Sequence, residues 1–109
     1  MKTWAFGAAV ALVTVGYMTT CSYESHRGEA AMAQVQKGDS EEKVVALFGP
    51  PNTREHQGKG YRRYVNDPCI DPCVERLWFE NQLSIVDEAW FVALDNDRRV
   101  LKAAHLISP

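Results

Sequence analysis

Signatures of chemistry are scarce in this chain. Its three histidines, His26, His56 and His105, are too dispersed to form a catalytic or metal-binding cluster. It has no His-Glu-x-x-His segment, no phosphate loop, and no Ser-His-Asp order with nucleophile-elbow glycines. Charge of neither sign dominates: 12 Lys and Arg stand against 14 Asp and Glu, a formal net charge of −2. Arg62-Arg63 and Arg98-Arg99 are isolated pairs that read as solvated strand and turn residues, so the footprint of a nucleic-acid binder is missing. No apolar run reaches the roughly 20 residues that a bilayer-spanning helix needs. No domain-scale repeat or low-complexity tract occurs. The expectation is a non-catalytic protein with no cofactor, no bound metal, no small-molecule substrate and no nucleic-acid partner.

What is present begins with an export signal. Lys2 precedes an apolar stretch from Trp4 to Met18, interrupted by Gly7, Thr14 and Gly16. Residues 1–20 fit a secretory signal, which implies delivery to an oxidising compartment. Ser22 to Gly28 is polar, without apolar period, and reads as a tether. Glu29 to Lys37 is alanine-rich, with Met32 and Val35 three apart, and predicts a first short helix ended by Gly38.

The next stretch is the most fully specified. Ser40 is an N-cap, Glu41 and Glu42 place negative charge in the first turn, and Val44, Leu47 and Phe48 form an apolar stripe. Gly49 supplies a left-handed closing residue, and Pro50-Pro51 forbids continuation. A helix this short must lie on something. Asn52 to Gly60 is polar and turn-forming, and Tyr61 to Val65 predicts the first strand, stopped by Asn66-Asp67-Pro68. Val74 to Phe79 suits a strand and Glu80 to Asp87 a polar turn or one helical turn; period alone does not decide. Glu88 to Asp95 is the clearest strand, with Trp90, Val92 and Leu94 on one face and Phe91 and Ala93 on the other. Asn96-Asp97-Arg98 makes the turn, with Asn96 or Asp97 left-handed. Arg99 to Ile107 is the last strand. The reading is α+β, two short N-terminal helices packed on a three- or four-stranded antiparallel sheet.

The pattern Gly38, Ser40, Val44, Phe48-Gly49-Pro50-Pro51, with the later run Trp90 to Asp95 and Arg99-Val100, resembles the BamE-like (SmpA/OmlA) lipoproteins from about Ala30 onward. Members of that family are small outer-membrane lipoproteins, one of them an accessory subunit of the machine that folds β-barrel proteins. Met18-Thr19-Thr20-Cys21 resembles the lipobox of such proteins, with Thr20 where Gly, Ala or Ser is usual. The resemblance implies a signal peptide over 1–20, a lipidated Cys21 with tether over 21–28, and a domain over 29–109. It places the protein on the outer membrane, lipid-anchored and facing the periplasm, as an interaction module with a protein partner. An ordinary cleaved signal and an uncleaved anchor are the other readings of the N-terminus.

If Cys21 carries lipid, two cysteines remain in an oxidising compartment, within the repeat Asp67-Pro68-Cys69 and Asp71-Pro72-Cys73. Four residues apart in a turn, Cys69 and Cys73 can meet the Cα separation of a disulfide. A redox pair is the alternative, although such pairs favour Cys-x-x-Cys at a helix N-terminus. The aromatics Trp78, Phe79, Trp90 and Phe91 suit a core; the functional alternative is an exposed patch formed by Trp78, Phe79 and Trp90. Three functions compete: an envelope interaction module, a secreted protein-binding or inhibitor module, and a thiol-disulfide protein using Cys69 and Cys73.

Overall fold

The computed structural model describes residues 2–58, 68–83 and 87–108. Helix α1 spans Lys2–Gln34 and α2 spans Glu41–Phe48; strands follow at β1 Thr53–His56, β2 Glu75–Glu80, β3 Asp87–Leu94 and β4 Val100–Ser108. The strands form one antiparallel sheet in the order β1-β2-β3-β4. Helix and strand thus combine in the expected α+β class, with a four-stranded sheet.

Helix α2 forms as its ends dictate. The Ser40 hydroxyl accepts from the Lys43 N–H, and the Gly49 N–H bonds the Val45 carbonyl. Gly49 takes φ 87° and ψ −172°, a positive φ as expected, but an extended ψ in place of the left-handed helical one. Pro50 explains the difference, because a proline ring clashes with a preceding residue in the helical range.

One face of the sheet buries Val44, Leu77, Phe79, Trp90, Val92, Leu94 and Val100, and Met32, Val35 and Phe48 pack on them. Phe48 stacks on Phe79 with centroids 4.4 Å apart. The opposite face buries Trp78, Ala89, Phe91 and Ala93. The alternation expected along β3 is therefore present on both sides.

Three expectations are corrected. The first helix is 33 residues long, and residues 22–28 belong to it instead of forming a loose tether. Gly28 lets this part of the helix lie close on the sheet, since a side chain there would hold it away from Trp90. The helix also ends at Gln34, short of Gly38, whose N–H bonds the Val100 carbonyl at 2.8 Å and so fastens the linker between the helices to β4. The first strand of the described residues is Thr53–His56, expected as a polar turn; its one buried residue is charged, which hid the strand from a hydrophobic pattern. The strand expected at Tyr61–Val65 lies outside the described residues. In the last hairpin the positive-φ residue is Arg98, at φ 60°, not Asn96 or Asp97. Asp95 accepts from the N–H groups of Asp97 and Arg99, which shapes a turn followed by one left-handed residue.

Candidate binding cleft

Where α1, the end of α2 and the β2–β3 turn meet, a cleft of about 400 Å³ opens. Phe48, Pro50, Phe79 and Trp90 form its apolar lining, and Arg27 and Glu80 are among its charged groups. Arg27 leans toward Glu24, 3.9 Å away on the same helix. Trp90 is only 3 % exposed, and its indole Nε1 has no hydrogen-bond partner among the described residues.

Behind the cleft, β3 presents Glu88 to three donors. Ser25 Oγ donates to Oε2 at 3.1 Å, Asn81 Nδ2 donates to Oε1 at 3.0 Å, and His105 Nε2 lies 3.0 Å from Oε2. The His105 ring stacks on Trp90 at 4.9 Å, nearly parallel. Burial is the largest influence on the Glu88 carboxyl and would raise its pKa, but the bonds from Asn81, His105 and Ser25 together hold it below the ordinary glutamate range. A serine, a histidine and a carboxylate are the residue types of a hydrolytic triad, but their order here is different. Hydroxyl and imidazole both meet the carboxylate, whereas an activated serine would donate to the imidazole. Glu88 therefore acts as a hub that fastens α1 to the sheet.

A second ionic group sits at the other end of the sheet. Arg98 bonds both Glu41 and Glu75, and Arg54 bonds the same two carboxylates, joining α2, β1, β2 and the last turn. On the face opposite the helices, Arg76 and Glu55 form a buried two-point ion pair, with Nε 2.9 Å from Oε1, and Trp78 Nε1 donates to the same Oε1 at 2.9 Å. Neither group was expected, because their partners lie far apart in sequence.

Cys69 and Cys73 are disulfide-bonded, with Cα atoms 5.3 Å apart. The Gly58 N–H bonds the Cys69 carbonyl and the Gln57 side chain bonds the Cys73 carbonyl, so the loop hangs from the end of β1. Cys69 is 1 % exposed, poor access for a thiol-exchange partner. Cys21 is a free, half-buried cysteine, and its carbonyl accepts from Asn81 at 3.3 Å.

The core reading of these aromatics holds, and the alternative of an exposed patch formed by Trp78, Phe79 and Trp90 is corrected. Trp78 points to the opposite face from Phe79 and Trp90, and the three are 0 %, 5 % and 3 % exposed. Both faces of the sheet are covered, so strand alternation leaves neither set to solvent. Among the described residues no group of three His, Cys, Asp or Glu is placed to hold a metal, and no helix is long and apolar enough to cross a membrane. Comparison with protein-family models, with curated proteins and with solved structures gives no match.

Proposed function

We propose that this chain is a non-catalytic interaction module of the bacterial envelope, lipid-anchored through Cys21 and facing the periplasm. By its resemblance to the BamE-like lipoproteins it serves as an accessory to outer-membrane assembly or envelope maintenance. The observation that carries the reading is the capped helix ending Gly49-Pro50-Pro51, laid on an antiparallel sheet that closes with the Trp90–Val100 hairpin. The signal-like N-terminus and the disulfide at Cys69 and Cys73 support an exported protein. The cleft beside Phe48 and Phe79 is the surface offered to a partner.

A photo-crosslinking residue placed at Arg27 or Gln82, on the cleft, tests this in cells. Capture of one envelope protein from these positions, and not from Asp97 in the opposite turn, is the expected result. No capture from either cleft position would overturn the cleft as the binding surface. Intact mass of the mature protein tests the anchor separately, since a diacylated Cys21 must be its first residue. An unmodified Cys21 would favour the secreted binding module.

A further inference from the structure

We propose that Cys21–Gly28 is a rigid mount, holding the β2–β3-turn end of the sheet, with Leu83 and Ile107, against the lipid surface. This rests on the reading of Cys21 as the acylated residue. Contacts of α1 with the rest of the fold recur at alternating spacings of four and three. Cys21 accepts from Asn81, Ser25 donates to Glu88, and Gly28 abuts Trp90. Met32, at the end of the same stripe, packs on the core. Residues so spaced share one helix face. The segment between the acylation site and the core is thus fastened at each turn, whereas a leash would be fastened at none.

A second observation places lipid at the same point. Around this point the sheet end itself presents large apolar side chains. Leu83 is 36 % exposed, and Ile107 is 61 % exposed and pairs in register with Glu88, the residue whose carbonyl receives the Asn81 N–H. Tyr23, 64 % exposed two residues beyond Cys21, suits the headgroup layer, where tyrosine is enriched. Held by Asn81, Ser25 and Gly28, the anchor permits one approach of the domain to the membrane.

The test uses the full acylated protein in vesicles of phosphatidylethanolamine and phosphatidylglycerol that carry a headgroup-linked quencher. A fluorophore is attached in turn to Leu83→Cys, Ile107→Cys and Asp97→Cys, with Cys69–Cys73 kept oxidised and Cys21 blocked by its lipid. Quenching several-fold stronger at positions 83 and 107 than at 97 is expected. Ser25→Ala combined with Asn81→Ala should shrink that difference without changing the acylated mass. If Leu83→Cys does not fold, position 107 alone decides. An acylated protein quenched equally at all positions overturns the mount and leaves the anchor standing. An unacylated mature chain overturns both.

Discussion

The hydrogen that serves as the side chain of Gly28 sets how closely α1 approaches the sheet. A Cβ built there would lie 2.3 Å from Trp90 Cζ2, inside any real contact distance. Two effects of Gly28→Ala oppose each other. Helix propensity favours alanine by up to about 1 kcal/mol, while overpacking against a buried ring costs about 1–3 kcal/mol. Because Trp90 is buried and cannot swing clear, the clash wins, and the variant should unfold at lower urea than the wild type. A loose tether at this position would give the opposite sign. Gly49 presents a backbone constraint: with φ 87° and ψ −172° it occupies a region that is essentially glycine-only. Gly49→Ala should cost about 1–3 kcal/mol in the same assay, with α2 retained by circular dichroism.

Two elements depend on interactions that hydrophobic patterns do not reveal. Edge strand β1 turns Glu55 inward to Arg76 and Trp78, and the Glu55 and Arg76 side chains are 1 % and 4 % exposed. Removing the carboxylate deletes this counter-charge from a buried guanidinium and an acceptor of the Trp78 indole, so Glu55→Gln should destabilise by more than the roughly 0–1 kcal/mol of a surface ion pair, measured by equilibrium unfolding. A loss near that of a surface ion pair would refute this account of β1. The disulfide loop is the contrasting case. It closes few residues, so chain entropy contributes little, and the bonds from Gly58 and Gln57 to its carbonyls survive reduction. The double variant Cys69→Ser, Cys73→Ser should remain folded. Hydrogen exchange should quicken around residues 69–74 and leave β3 and β4 protected.

Across the molecule, three carboxylates link stability to pH. Bonds from Arg98 and Arg54 hold Glu41 below its ordinary range. At Glu75 burial is the largest influence and raises the pKa, but the same two arginines more than offset it. Glu88 is lowered through Asn81, His105 and Ser25 against burial. Each folded pKa lies below the unfolded glutamate value of about 4.3, so the native state binds fewer protons over that interval. Their contribution is fully present above that pH and is lost as pH falls through the folded values. Urea midpoints measured stepwise should therefore decline as the solution is acidified below about pH 4.3. Glu75→Gln should flatten that decline while lowering stability at neutral pH, since Arg54 and Arg98 lose a shared partner. A midpoint that rises in acid would contradict the assignment. The long axis of 64 Å, against 26 and 17 Å across, follows from the start of α1 extending past the sheet.

The sequence by itself determined those parts whose causes lie within a few residues of each other. Ser40 and Gly49 define α2 because capping bonds span one helical turn. The two faces of β3 follow from strict alternation, and the Cys69–Cys73 pair from a spacing of four. The tertiary structure decided whatever depends on partners distant along the chain. Glu55 looks like a turn residue until Arg76, 21 positions later, neutralises it inside a strand pair. Gly28 looks like a helix breaker until Trp90 fills the space beside it, and the stripe through Cys21, Ser25 and Gly28 is too small and polar to register as an amphipathic period. Composition suited Trp78, Phe79 and Trp90 to a core, but that neither face is left open as a patch is a property of the assembled fold. Local hydrogen bonds and alternation are written in neighbouring residues. Charge neutralisation and close packing exist only once distant residues meet.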